Sequence, residues 1–263
     1  MDDTVKASAA QPLLLREDRD GIARLTLNRP LQFNALSVEL LGQLQSAIDA
    51  IGSDTSLRVV VIGGAGKVFC AGHDLREMRG EADIAFQRSL FRQCSRVMLA
   101  LAGLPQPVIA RVHGIATAAG CQLVAACDLA IAADDTRFAV SGINLGLFCG
   151  TPSVALVRNL PRKKAFEMLM TGDFIDAPTA LAHGLVNRIV PAVELDGAVD
   201  ALARSIAAKS PAAVAAGKRL FYHQVEMGVE AAYQLASETM ACNMMNEDAM
   251  KGIDAFINRR TTR

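Results

Sequence analysis

No charge of either sign predominates in this chain: 27 Lys+Arg residues balance 27 Asp+Glu residues. That balance argues against a nucleic acid or an anionic membrane as the main partner, because both call for a positive excess. The six cysteines, Cys70, Cys94, Cys121, Cys127, Cys149 and Cys242, form no C-x-x-C pair, and several sit inside apolar runs. They are expected to be buried thiols of a reducing cytoplasm. Metal-ligand spacing and a nucleotide P-loop are both missing, so neither a metal nor ATP is expected. The first twelve residues, MDDTVKASAAQP, hold neither an apolar signal core nor an arginine-rich amphipathic pattern. No targeting segment is expected there, only a flexible tail over residues 1–10. The run 108–133 is strongly apolar, but Arg111, His113, Gln122, Asp128 and two glycines interrupt it. A buried helix beside a strand fits it better than a membrane span.

What is present is a large core. Half of the residues are hydrophobic (51%), enough for one main domain with a modest appendage. Asp20-Gly21 between two short apolar runs predicts a hairpin of residues 13–17 and 22–27. Ser37 is placed to cap a helix from Val38 to Ile51. RVVVIGGAG reads as a buried strand, KVFCAGHDL as a short strand and turn with Asp74 capping the next helix, and 83–103 as a long amphipathic helix. Strands are expected at PVIARVHG, DLAIAADD, RFAV and LVNRIVP, and helices at 152–160, 162–171 and 177–183. From about Leu195 onward helical patterns dominate and little strand signal remains. Strand, strand, helix recurs at intervals of several tens of residues, which predicts an α/β fold of stacked units.

The stretch from Arg111 to Thr151 organises the rest. HGIATAAGC, a run of small residues, leads into the apolar QLVAACDLAIAA and reads as a tight turn delivering a helix N-terminus. The first amides of a helix lack intrahelical partners and the macrodipole makes that end positive. Ala118, Ala119 and Gly120 leave the main chain open to close approach, as an oxyanion hole built from peptide N–H groups requires. The competing reading is that small residues simply let a helix pack tightly on a sheet.

The pieces RPLQFNAL, VFCAGHDL, HGIATAAGCQLVAACDLAIAADDTRF, INLGLFCGTP, TGDFIDAPTALAHGLVNRIVP and AFINRR occur in an order and spacing that resembles the crotonase superfamily, the enoyl-CoA hydratase/isomerase family, over nearly the whole chain. The resemblance implies a ClpP-like spiral of β-β-α units over 11–194 and a helical C-terminal trimerisation region over 195–263. It also implies homotrimers or hexamers formed as dimers of trimers. The ligand it implies is an acyl-CoA thioester, coenzyme A being part of the substrate, with no tightly bound cofactor. The thioester carbonyl would be held by the backbone N–H groups of His73 and Ala119. Coenzyme A would meet Gln32, Phe33 and Ala35 of the RPLQFNAL loop and Ala71, His73, Asp74, Leu75 and Arg76 at the AGHDL turn. Phe256 and Arg259 would meet its adenine end, often from a neighbouring subunit.

The resemblance also exposes two absences. Family hydratases carry a glutamate immediately after GC in the central helix and another after the RF strand. Here those positions are Gln122 and Gly142. An amide exchanges no proton usefully near neutral pH and glycine has no side chain, so efficient hydration by the usual route is not expected. The stretch 147–151, LFCGT, supplies no acid either. Cys149 is a weak candidate nucleophile, against a pocket-lining thiol, because no base is evident beside it. The His73 imidazole is a further candidate, against an exposed turn histidine. His113 is expected to pack in the core, and Asn144 either to face the acyl chain or to cap a turn. Two functions stay open: an enzyme of the lyase or isomerase class in fatty-acid and acyl-CoA metabolism, using the oxyanion hole for weak or non-hydratase chemistry, or a non-catalytic acyl-CoA-binding or regulatory protein.

Overall fold

The computed structural model describes residues 12–261, with side chains to residue 258. The tail expected over 1–10 lies outside the described residues. The chain opens on a hairpin of β1 (Leu14–Arg19) and β2 (Ile22–Leu27), antiparallel from Leu14 opposite Leu27 to Arg19 opposite Ile22. Asp20 and Gly21 both take positive φ, 53° and 74°, as a two-residue turn matched to strand twist demands. Then α1 (Val38–Gly52) begins where the Ser37 hydroxyl accepts from the Leu40 amide, and it buries Leu40, Leu41, Leu44, Ile48 and Ile51.

The next strand, β3 (Val59–Gly64), pairs parallel with β2. Two helices follow, α2 (Leu75–Gly80) and α3 (Ile84–Gly103), then β4 (Val108–Val112). A short β5 (Ile115–Thr117) leads into α4 (Ala119–Ala126), β6 (Leu129–Ala133) and β7 (Arg137–Ala139). After these come α5 (Gly150–Asn159), α6 (Arg162–Thr171), β8 (Ile175–Asp176), α7 (Ala177–Ala182) and β9 (Arg188–Val190). Four helices end the chain: α8 (Leu195–Ala207), α9 (Pro211–Gln224), α10 (Val229–Met244) and α11 (Glu247–Thr261).

The larger sheet runs β1-β2-β3-β4-β6-β9 and is parallel from β2 onward. The smaller one runs β5-β7-β8, its first pair parallel and its second antiparallel. Both faces of the larger sheet are covered, which is why β3 reads as unbroken VVVI rather than alternating. Val60 and Ile62 face the main core with α1 and α3. Val59 and Val61 face the other way, onto Leu195, Val199 and Ala203 of α8. Packing therefore joins α8 to the core.

Two local expectations change. KVFCAGHDL forms no strand; only isolated bridges join Leu36 to His73 and Cys70 to Ala116. Gly72 at φ 96° breaks the extended run. Conversely, residues 115–117, read as part of a turn, form β5 because β7 lies alongside. The apolar stretch after Gly120 divides at Cys127: helix before it, strand after. Asp128 fixes that division. Its carboxylate accepts from the Val108 amide (2.6 Å), Lys218 Nζ (2.6 Å) and the Tyr222 hydroxyl (2.7 Å). Lys218 also donates to the carbonyls of Leu101 (2.8 Å) and Gln106 (3.0 Å), so one buried ammonium ties α9 to the end of α3 and the start of β4 and β6.

Candidate functional site

Two turns from distant parts of the sequence meet face to face. Residues 70–73 lie against residues 116–120: the Thr117 amide donates to the Cys70 carbonyl (3.0 Å). A Cβ on Gly72 would stand 2.9 Å from Ala118 Cβ and 3.2 Å from the Ala119 nitrogen. One on Gly120 would overlap the Cys70 carbonyl, so the GC step of the central motif is a requirement of space. Ala118 completes the turn at φ 50°, ψ −120°, a region that costs an L-residue on the order of 1–3 kcal/mol. Such strain concentrates at ligand sites, and nothing in the local sequence signals it.

The turns leave two amides without a protein acceptor among the described residues. At the Leu36 bridge, the Leu36 amide donates to the Gly72 carbonyl (2.8 Å) and the Asp74 amide to the Leu36 carbonyl (3.2 Å). In a parallel bridge those flanking bonds turn the N–H of residue 73 away from residue 36. Ala119 is the first residue of α4, and no side chain caps that helix. Among the described residues neither the His73 nor the Ala119 amide has an acceptor. Both residues line one cavity of about 290 Å³.

That cavity is mostly apolar, with Leu75, Met78, Phe91, Leu145, Leu147 and Phe148 in its wall. Its polar side chains are those of His73, Ser141, Cys149 and Thr151, and no charged residue lines it among those described. The His73 ring meets Phe91 edge to face, centroids 5.4 Å apart. Burial lowers its pKa to about 4, so the imidazole is neutral near pH 7. Ser141 and Thr117 share a hydroxyl–hydroxyl bond of 2.9 Å. Burial raises the Cys149 pKa, with a backbone bond from Gly142 offsetting part of the rise, so its surroundings do not promote the thiolate that a nucleophile would need.

Residues 122 and 142, at which the family resemblance led a glutamate to be expected, differ in kind. Gln122 is buried and does not line the cavity; its Oε1 finds no protein partner among the described residues. Gly142 does line it, but the loop 145–149 fills the space a side chain would need. A Cβ on residue 142 would meet the Leu147 carbonyl oxygen at 2.6 Å and Cys149 Sγ at 2.7 Å. Loop 145–149 is closed onto Gly142 by a bond from the Leu147 amide to the Gly142 carbonyl (3.0 Å).

The other sequence-derived residues are less tightly gathered. Ala71 and Leu75 line the cavity, as does Thr151. Gln32 and Phe33 are exposed and Ala35 is buried; the Phe33 carbonyl accepts from the Ala71 amide (3.0 Å), which fastens their loop to the site. Asp74 caps α2 and pairs with Arg29 (2.9 Å). Burial alone would raise the Asp74 pKa, but the Arg29 guanidinium and two capping amides outweigh it and hold the carboxyl below its usual range. Arg76 is exposed and lies off the cavity, as does Asn144. His113, expected in the core, is half-buried and bonded to the Gly66 carbonyl (2.9 Å) and to Arg111 (3.0 Å). Phe256 stands on α11 away from the cavity, and the Arg259 side chain lies outside the described residues. Five thiols are buried as expected, while Cys242 is exposed.

Sequence reasoning missed Arg29 and Asn34. Asn34 is fully buried; it donates to the carbonyls of Ala65 and Val68 (2.8 Å each) and accepts from the Arg29 amide (2.9 Å). A polar residue inside an apolar loop was the available signal. Ser141, Met78 and Phe91 were missed too, since only the folded chain brings them to the turns.

Residues 17–263 match the sequence profile of the enoyl-CoA hydratase/isomerase family. The chain belongs to that family. Its ligands as a class are coenzyme A thioesters. Within the family, enoyl-CoA hydratase domain-containing protein 3, mitochondrial, of Xenopus laevis is 45% identical over 95% of this chain and 85% of its own length. The crystal structure of the human protein of that name superposes with a TM-score of 0.92 at 44% identity, covering 94% of this chain and 98% of that one. An enoyl-CoA hydratase structure from Mycobacterium smegmatis gives a TM-score of 0.94 at 56% identity, covering 95% and 97%. The fold is thus the crotonase fold. The word mitochondrial in the names of the relatives overturns the cytoplasmic placement drawn from the cysteines. Unpaired thiols report a reducing compartment and do not tell one such compartment from another.

Proposed function

We propose that this protein binds an acyl-CoA thioester in the 290 Å³ cavity, holding the thioester carbonyl oxygen with the His73 and Ala119 amides, and that it does not hydrate enoyl thioesters by the two-carboxylate route. The observation that carries this reading is the pairing of two unbonded amides on a cavity wall with a second wall closed over Gly142. Amides already fixed in place stabilise a developing oxyanion without reorganisation. An apolar lining without a cationic side chain suits an uncharged acyl group. Names of relatives point to the same ligand class: one of them, at 35% identity, is the 2,3-dehydroadipyl-CoA hydratase of Escherichia coli.

Without acids at 122 and 142, the polar groups near the acyl carbons would be His73, Ser141 with its Thr117 hydroxyl partner, the Cys149 thiol and Thr151. These suit binding, or a reaction that needs oxyanion stabilisation more than a strong acid and base. Coenzyme A would meet the Gln32–Ala35 loop and Arg76, and Phe256 and Arg259 would act from a neighbouring copy. Support for such a copy comes from α10, which buries none of its residues within the single chain while exposing Tyr233 and Met240. Assembly as a trimer, or as paired trimers, would cover that surface.

Calorimetric titration with butyryl-CoA tests the reading. The wild-type protein is expected to bind, and Ala119→Val, which crowds the carbonyl position with a β-branched side chain, is expected to bind at least about tenfold more weakly. Equal affinities in two folded proteins would contradict it.

A further inference from the structure

The neutral ring of His73 is the unexplained group in this cavity. Its backbone amide needs no imidazole to serve a carbonyl oxygen, and any side chain would leave that amide in place. Yet a ring with one donor and one acceptor nitrogen stands among Leu75, Met78 and Phe91. Neither nitrogen is hydrogen-bonded to the described protein, and Nε2 is sealed from solvent. Buried polar groups in folded proteins nearly always have partners, and one without a partner calls for a reason.

We propose that the His73 imidazole selects acyl groups that carry a hydrogen-bonding oxygen close to the thioester, at C3, over plain hydrocarbon chains. The inference rests on the thioester reading above. The residue that offers its amide to the carbonyl oxygen has only a short side chain, so its ring reaches the first acyl carbons and not the end of the chain. A hydrocarbon acyl group packed there leaves the ring nitrogens unpaired. A hydroxyl or keto oxygen pairs Nδ1, the nitrogen that is not sealed from solvent, and a neutral imidazole serves either there, donating to a carbonyl or accepting from a hydroxyl according to its tautomer. Sites that hydrogen-bond a substrate oxygen discriminate strongly against the analogue lacking it, because their own polar group is then stranded. The remaining wall stays apolar, so chain length is read by contact and oxygenation by His73.

Titration of the purified protein with 3-hydroxybutyryl-CoA and butyryl-CoA, which differ by one oxygen, tests this. The hydroxyacyl thioester is expected to bind roughly tenfold or more tightly. His73→Leu keeps the amide and should lose that preference, so that the two thioesters bind it about alike, while His73→Gln, which keeps a donor and an acceptor, should retain part of it. Equal affinity of the wild-type protein for the two thioesters overturns the inference and leaves the thioester reading standing. A preference that survives in His73→Leu also overturns it. Failure of both thioesters to bind overturns the reading and the inference together.

Discussion

Gly142 and Leu147 leave no room for a side chain between them: a Cβ on residue 142 would come within 2.6 Å of the Leu147 carbonyl oxygen. The substitution by glycine is therefore coupled to the path of a loop. Restoring an acid at this position requires the whole of 145–149 to move, because the obstacle is backbone and not the tip of a flexible side chain.

Gly142→Glu is thus expected to destabilise the protein by about 1–3 kcal/mol, the usual cost of overpacking a tight site, and to bring no hydratase activity. Combining it with Gln122→Glu should not rescue activity, since residue 122 does not line the cavity. Denaturant titration and a crotonyl-CoA assay on each variant check both halves. A gain in hydration by a stable double variant would show that the loop yields easily.

The buried ammonium of Lys218 holds the C-terminal helices to the core. Burial lowers the Lys218 pKa and the Asp128 carboxylate offsets part of that effect. Lys218→Met strands the Asp128 carboxylate, and the expected loss is about 3–5 kcal/mol. Lys218→Met with Asp128→Asn removes the stranded charge and should recover part of the loss. Equilibrium unfolding of the single and double variants measures the difference; equal losses would mean that the ion pair carries no coupling.

Acid stability carries the signature of His73. Its pKa falls from 6.5 in the unfolded chain to about 4 in the fold because of burial. Between those values the unfolded state binds more protons, so stability is full above about pH 6.5 and is lost as pH falls toward 4. The contribution is on the order of 3 kcal/mol. Desolvation likewise lowers the His113 pKa, and it acts with the same sign. Thermal unfolding from pH 7 to pH 4 should therefore fall less steeply for His73→Leu than for the wild-type protein. Parallel curves would contradict the burial of the ring.

The parts legible in the sequence are those in which local chemistry and tertiary structure agree. Asp20-Gly21 specified the hairpin and Ser37 the start of α1. The apolar period of residues 83–103 specified α3, because each of these signals acts within a few residues. The AAG turn was legible as the start of a helix for the same reason. What stayed hidden depends on distant contacts. Strand β5 exists because β7 lies beside it, and Asp128, which looked like an interruption in an apolar run, is an anchor for Lys218 and Tyr222. Ala118 gives no sign of its positive φ, since alanine is not among the residues, Gly, Asn and Asp, that favour one. Gly142 was legible as an absence, but the loop that fills the space could not be read from LFCGT.

The steady-state hydration of crotonyl-CoA at saturating substrate, followed beside a known hydratase, tests the central claim most directly. A positioned acid or base contributes about 10²–10⁴ to such a rate. With both carboxylates absent, turnover is expected to lie at least about 10² below the known enzyme. Turnover within about tenfold of it would contradict the account, because a group other than the two missing acids would then be moving the protons.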